Sequence, residues 1–337
     1  MKTFITIGLL TILYITPDEY KSVLVTFFSV VWFLYTIYYA VKLYKIKDKK
    51  INTDKYSTEP PNHQYSPYIR YLCNGKVDYK VFFATIMELI LKKSIILCRK
   101  DKDKYYLIDG KVEEEELTKN EMFVKNILFC KIGDKDQISL REIKEEAKYN
   151  SGYFHYVYNE WKNLFVFESA KFKYFKPIKP IIDNGLFYFM LSIVLSILNI
   201  VINNYIYVAF IIFLITSLLI KSVNDYCNRE DDAKVEYKSW LEFKNYIKKE
   251  DNDLSLLDIK SLENYATYAY VLDEMDSFLN ILYKKYESDN TVFDNSVLLS
   301  IMNFRIFDDI EETFKKSINL ATVKSVVFFS RNRGRRI

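Results

Sequence analysis

Long uncharged runs alternate with polar stretches along this chain. Ser22 to Val41, SVLVTFFSVVWFLYTIYYAV, is a run of 20 residues without a charge. As a helix rising 1.5 Å per residue it covers about 30 Å, the thickness of a bilayer's hydrocarbon core. Trp32, Tyr35, Tyr38 and Tyr39 weight its second half, where amphipathic rings suit the membrane–water interface. Asn184 to Ile220 is uncharged over 37 residues, too long for one span and right for two. Asn203-Asn204 is its polar break, which predicts a helical hairpin with arms Leu186–Ile202 and Tyr205–Ile220. Asn199 lies inside the first arm and should face the other helix, because an amide in lipid needs a partner. Thr3 to Thr16 reaches only about 21 Å as a helix and has the profile of a signal-peptide core behind Lys2. The following Ile15-Thr16-Pro17-Asp18-Glu19 does not resemble a cleavage site. The favoured reading is an uncleaved segment turning at Pro17-Asp18 into the next span; a cleaved signal and an interfacial helix are the alternatives.

The polar stretches carry helical and strand patterns of their own. Residues 43–65 are a linker, lysine-rich and then Pro60-Pro61-Asn62, with His63 expected in solvent. In 66–112, Ser66-Pro67 can start a helix with proline in its first turn. Asp78 begins another, with Phe82, Ile86, Leu89 and Ile90 on one face. SIILCRKDKDKYYLI then reads as two strands around a turn at Asp101–Asp103. Helix, helix, hairpin is the order of a winged-helix module. Residues 117–175 are expected to repeat it. Thr118-x-x-Glu121 and Ser139-x-x-Glu142 are capping-box patterns. A third helix places Phe154, Val157, Tyr158 and Trp161 on one face with His155 off it, and LFVFES (164–169) reads as a strand. Residues 228–330 form a C-terminal helical region with three apolar stripes: Trp240, Phe243, Ile247; Ile259, Leu262, Ala266, Ala269; and Met275, Phe278, Leu279, Leu282. Phe304, Phe307, Ile310 and Phe314 continue the idea. Residues 331–337 are a basic tail.

Composition changes this picture in two respects. Tyr (29) and Phe (25) are abundant, while Gly (7) and Pro (6) are scarce, which favours helices over turn-rich β architecture. Cys73, Cys98, Cys130 and Cys227 are isolated, so neither a disulfide framework nor a zinc site is expected. The net charge is only +4; its distribution matters more. Lys42, Lys45, Lys47, Lys49 and Lys50 follow the first strong span, Lys176 and Lys179 precede the hairpin, and Lys221 and Arg229 follow it. The Asn203-Asn204 turn carries no charge. By the positive-inside rule both large polar regions should be cytoplasmic and the chain a multi-pass protein of the plasma membrane.

Little in the sequence points to chemistry. It contains no P-loop, H-E-x-x-H, G-x-S-x-G or G-x-G-x-x-G motif. Two histidines in exposed places offer little for acid–base or metal work, and Glu113–Glu116 reads as a solvated acidic loop. No catalytic residue, metal ligand or cofactor is assigned, and the chain is expected not to be an enzyme. The two strong apolar stretches hold no ionisable group, which argues against a transport path. DNA binding is disfavoured: in 139–148, Arg141, Lys144 and Lys148 are balanced by Glu142, Glu145 and Glu146, where a recognition helix should be basic. Arg331, Arg333, Arg335 and Arg336 are the assigned contact to anionic lipid, with a frayed, solvated terminus as the alternative.

Four segments carry a resemblance. PYIRYLCNGKVDYKVFFATIMELILKKSII (67–96), EYKSWLEFKNYI (236–247), ENYATYAYVLDEM (263–275) and FKKSINLAT (314–322) resemble the bacterial membrane proteins grouped as domain of unknown function 2207. The resemblance covers about residues 43–322, in the same order around a membrane hairpin. Full members look like signal peptide, extracellular β domain, span and cytoplasmic part. Here Thr16 to Ser22 is all that separates the first two apolar segments, so the resemblance implies that the ectodomain is missing. The family's glycine-rich tail is replaced by the basic one, and no catalytic residue is carried over.

The expected fold is a mainly α membrane protein. It has 3–4 transmembrane helices, tandem winged-helix-like α+β units in the cytoplasm and a C-terminal helical bundle. Its expected domains are 1–42 (with 22–41 as span), 43–65, 66–112, 117–175, 184–220, 228–330 and 331–337. The expected role is a cytoplasm-facing scaffold or adaptor whose partners are the bilayer and other proteins, with nucleic acid disfavoured. A membrane-tethered winged-helix regulator and a non-catalytic subunit of a membrane enzyme complex are the alternatives.

Overall fold

The computed structural model describes residues 11, 14–46, 51, 53–101, 104–112, 116–133, 136–176, 179–203, 205–224, 228–249, 254, 257–288, 298 and 304–333. Most of the uncertain segment Thr3–Thr16, Cys227, the loop 113–115 and the end of the basic tail lie outside the described residues. The chain divides into two compact units, one of residues 1–51 and 175–230, the other of residues 52–174 and 231–337.

The first unit is apolar. Helix α1, Asp18–Ile46, contains a 25-residue stretch to Lys42 that is long and apolar enough to cross a membrane. Helices α7, Lys179–Val201, and α8, Ile206–Asn224, are the two arms predicted around Asn203. Their apolar windows among the described residues are shorter, 190–201 and 206–217. Val25 and Trp32 of α1 pack on Leu195 and Ile212 of the arms. Phe27, Leu34 and Phe210 point outward, an apolar exterior. Asn199 does find a partner, but on α1 and not on the other arm. Its Nδ2 donates to Ser29 Oγ at 2.8 Å and to Leu195 O at 2.8 Å. Asn203 extends the chain of amides, donating to Asn199 Oδ1 at 3.3 Å. At the polar end, Phe175 and Arg229 pair in an isolated β-bridge, and the amide of Lys176 donates to Asn228 O at 2.9 Å. The strands of chain that enter and leave the arms are thus joined.

The second unit is built on α2, Ser66–Asn74, and α3, Tyr79–Leu91. Helix α2 opens with Pro67 in its first turn and closes at Gly75, in the left-handed conformation with φ 70°, where a missing Cβ avoids strain. Asp78 caps α3 by accepting from the amide of Val81. Phe82, Ile86, Leu89 and Ile90 are buried as their spacing predicts, and so are Phe83, Ala84 and Met87. A helix apolar all round is a central one: Phe82 meets Trp161 and Phe314, while Phe83 meets Tyr270 and Phe307.

Strands β1, Ile95–Asp101, and β2, Lys104–Asp109, form the expected hairpin, with Leu97 opposite Leu107. Helix α4, Lys119–Asn126, and a π-helical turn, Ile127–Ile132, follow. Then come β3, Gln137–Ser139, α5, Leu140–Tyr149, and α6, Ser151–Ser169. Both capping boxes are present, Thr118 with Glu121 and Ser139 with Glu142.

Three expectations are corrected here. LFVFES is the last turns of α6, not a strand; Phe165 is fully buried in register with Trp161 and Tyr158, so the helical period simply continues. Nor do residues 117–175 repeat helix, helix, hairpin. Their described strand, β3, joins β2 in one sheet of order β1-β2-β3, with Leu107 opposite Ile138. The C-terminal region is likewise no separate bundle. Helices α9, Asp231–Lys248, α10, Ile259–Val271, α11, Met275–Ser288, and α12, Phe304–Arg333, belong to the same unit. Helix α10 packs on α2 and α3, and α12 on α3, α5 and α6.

Candidate functional site

A cluster of ion pairs surrounds the turn between α10 and α11. Helix α10 ends in a Schellman arrangement: the amide of Glu274 donates to Ala269 O at 2.8 Å and that of Asp273 to Tyr270 O at 3.1 Å. Asp273 takes the left-handed position, φ 60°, which glycine usually fills and which Asp tolerates better than most residues.

Four cations hold the turn. Arg70 of α2 is only 7% exposed and donates to Asp273 Oδ2 at 2.6 Å and to Val271 O at 3.1 Å. Lys80 of α3 donates to Asp273 Oδ1 at 2.6 Å. Lys244 and Lys248 of α9 reach the buried Glu274 at 3.1 and 3.0 Å. Burial pushes the Asp273 carboxyl up, but the hydrogen bonds from Lys80 and Arg70 outweigh it and hold the group below its ordinary value.

Beside the turn lies a recess of about 200 Å³ between α3, α10, α11 and α12. Phe83, Met87, Tyr270 and Phe307 form its apolar wall. Lys80, Asp273, Asp276, Asp308 and Glu311 supply its polar groups. The Tyr270 hydroxyl is buried with no hydrogen-bond partner. Burial and then the Glu311 carboxylate raise its pKa. Asp308 is pushed up as well, first by desolvation and then by Glu311 and Asp276.

A model of one family matches residues 53–278; it describes the C-terminal domain of a predicted membrane protein, domain of unknown function 2207. The chain belongs to this family. No curated protein and no solved structure matches it. Three of the four segments that carry the resemblance to domain of unknown function 2207 meet at the turn. The first supplies Arg70, Lys80, Phe83 and Met87, the second Lys244, and the third Tyr270, Asp273 and Glu274. The fourth begins at Phe314, packed on Phe82 of the first.

None of the charged residues at the turn stands out in the sequence analysis. A signal was present: Arg70 interrupts the apolar run around Ile69 and Leu72, and Asp-Glu follows a helix end where glycine is usual. Of the residues weighed from sequence, His63 is exposed. His155 is partly exposed and meets Asn159 at 2.8 Å and Thr322 at 3.4 Å. The backbone of Arg331 and Arg333 continues α12, and Arg335 and Arg336 lie outside the described residues. On α6, Tyr153, Tyr156 and Phe167 are exposed, as is Tyr149 at the end of α5.

Proposed function

We propose that the chain is a multi-pass protein of the plasma membrane that displays one folded unit in the cytoplasm as an adaptor for other proteins. The observation that carries the reading is that residues 52–174 and 231–337 share one core. A domain that folds as one body lies on one side of a bilayer, so the apolar segment between its halves crosses an even number of times. Arms of 23 and 19 residues supply two crossings, at about 35 and 28 Å each. The Phe175–Arg229 bridge supports the same reading, since a hairpin brings its two polar ends together. Helix α1 adds a third span, and the lysine and arginine flanks favour the cytoplasmic side for the polar unit. The exposed Tyr149, Tyr153, Tyr156 and Phe167 support the adaptor role, because aromatic side chains are enriched where proteins bind one another.

The topology is tested with single cysteines at Asn203 and Lys76 in a cysteine-free background, labelled in intact cells by an impermeant reagent. Position 203 should react and 76 should not; the reverse pattern overturns the orientation. The adaptor role is tested by a photo-crosslinking residue at Tyr153 or Tyr156 in native membranes, against a control at the exposed Lys238. A reproducible heterologous adduct at the two tyrosines alone is expected, and identical adducts at all three positions count against it.

The basic tail belongs to the same proposal. Arg331, Arg333, Arg335 and Arg336 would each contribute about 1 kcal/mol near an anionic leaflet, within a Debye length of about 8–10 Å. A peptide of residues 322–337 should bind anionic vesicles and lose binding as salt rises. Equal binding to neutral vesicles would assign the effect to the preceding Val326-Val327-Phe328-Phe329 instead.

A further inference from the structure

We propose that residues 53–64 are a releasable strap, which lets go of α9 while the core around α3 stays folded and which, when docked, pins the last turn of α9. The segment runs along α9 in the opposite sense. Thr53 Oγ donates to Glu242 Oε1 at 3.2 Å, and Asn245 Nδ2 donates to the carbonyls of Thr53 at 2.7 Å and of Lys55 at 3.1 Å. The amide of Ser57 donates to Glu242 O at 3.2 Å. Further along, Asn62 Nδ2 donates to Glu236 Oε1 at 3.5 Å, and Gln64 Nε2 donates to the Tyr174 hydroxyl. The Tyr56 ring stacks on Tyr246 at 6.4 Å between centroids, and Lys249 Nζ lies 4.4 Å from the Tyr56 centroid.

These contacts lie at the surface. Lys55, Tyr56, Glu59 and Asn62 are exposed, whereas Ser66, Ile69 and Leu72 of the following helix are fully buried. An exposed hydrogen bond gains little net free energy, because water competes for both of its groups. Each residue held in place loses backbone entropy of comparable size. The strap buries little apolar surface to tip that balance, so its docked and released arrangements lie close in free energy. The core does not depend on it: Trp240 packs on Tyr268 of α10, and Phe243 on Tyr265.

What the strap holds gives it a consequence. Helix α9 ends at Lys248, and helix ends fray because their last carbonyls lack partners within the helix. The strap fastens this end through Asn245, Tyr246 and Lys249. The same turn carries Lys244 and Lys248, which reach Glu274 at 3.1 and 3.0 Å, and Lys244 also donates to Leu272 O at 2.6 Å. A docked strap keeps both lysines aimed at the α10–α11 turn, and a released strap lets the end of α9 fray away from it. Chain connectivity supplies the trigger, since the strap follows α1, Asp18–Ile46. A movement of α1 is thus carried to the turn through an element with two arrangements. Only this trigger rests on the reading of α1 as a membrane span; the strap and its grip do not.

The test uses the full chain in detergent micelles, in a cysteine-free background with nitroxide labels at positions 55 and 148. Pulsed electron resonance should give one narrow distance for the docked strap and a broad minor component for the released one. Thr53→Val with Tyr56→Ala alters the strap alone, and Asn245→Asp removes the amide donors from the α9 side at constant size. Each should enlarge the broad component about threefold or more, while thermal melting of the core, read by circular dichroism, stays at the parent's temperature. An unchanged distance distribution, or a strap that releases only when the core unfolds, overturns the proposal. The grip is read separately, as amide hydrogen exchange across residues 269–276. In the Thr53→Val, Tyr56→Ala variant it should quicken about threefold or more, because the amides of Asp273 and Glu274 close that turn. Exchange at the parent's rate with the strap released overturns the pinning of α9. Both readouts are taken in micelles, so a failed topology at Asn203 removes the trigger and leaves them standing.

Discussion

Within the apolar helices of the first unit the buried polar side chains are neutral, and most are satisfied locally. Ser29, Thr36 and Thr216 donate to carbonyls one turn back on their own helix. Asn199 reaches across to Ser29, and Asn203 donates to Asn199 and, at 3.4 Å, to Thr26 of α1. In the second unit the buried polar groups include ions: Arg70 with Asp273, Glu274 with two lysines, and Glu121, fully buried, with Lys92 at 2.9 Å. The difference follows from the solvent each unit is built for. A charge inside hydrocarbon costs several kcal/mol even when it can snorkel, so helix-to-helix specificity falls to amides and hydroxyls. A water-side domain can bring a long basic side chain in from its surface and match it to a carboxylate. The apolar unit also spends its hydrophobic surface differently. Much of it faces outward, whereas the polar unit buries both its tryptophans and most of its phenylalanines around α3 and α9 and exposes aromatics chiefly on α5 and α6.

The comparison is broken most sharply in the polar unit's core. Trp240 is fully buried against Phe243 and Tyr268. Trp240→Ala should cost about 3–5 kcal/mol, read as denaturant unfolding of the full chain in micelles by a probe in α9–α11. A loss under about 1 kcal/mol would mean that apolar packing does not govern this unit. Arg70→Met tests the ionic half of the contrast. It strands Asp273, but that carboxylate is 47% exposed and keeps Lys80, so the expected cost is about 2 kcal/mol, below the full penalty for breaking a buried pair. An unchanged stability would reduce the cluster at the α10–α11 turn to surface decoration.

In the apolar unit, Asn199→Leu should weaken the association of α1 with the hairpin by only about 1 kcal/mol, as hydrogen bonds between membrane helices do. Steric trapping of α1 against α7 measures it; a loss as large as that at Trp240 would contradict a neutral, lipid-adapted clamp. The smallest effect concerns protons. Asp273 has its pKa held below the ordinary carboxylate value of 3.8. A depressed carboxylate stabilises the fold above its unfolded pKa and loses that contribution as pH falls through its folded pKa. The stability difference between the parent and Asp273→Asn should therefore be constant from pH 7 to about 5 and shrink below about 4. The apolar unit, with no ionisable group between Ser22 and Val41 or Asn184 and Ile220, should show no such step.

The sequence by itself determined the local elements. Uncharged length and the Asn203 break specified α1 and the two arms; Ser66-Pro67, Asp78, Thr118-x-x-Glu121 and Ser139-x-x-Glu142 marked four helix starts at or within one residue of where they occur. These signals work because capping, period and span length are properties of a few neighbouring residues. One buried face of α3 was equally legible from Phe82, Ile86, Leu89 and Ile90, but the burial of Phe83, Ala84 and Met87 and the helices that cover them were not. The helices that close over it, α10 and α12, lie beyond the hairpin in sequence, and nothing in a period tells one apolar stripe from another as a partner. The same holds for β3, whose three residues are too short to announce a strand and take their register from β2. It holds too for LFVFES, whose β-prone run is overridden because Phe165 packs in step with Trp161. Arg70, Asp273 and Glu274 became a cluster, and Asp276, Asp308 and Glu311 a recess, only when residues some 200 positions apart in the chain met at one helix end; chain connectivity cannot specify such a meeting, and core packing can.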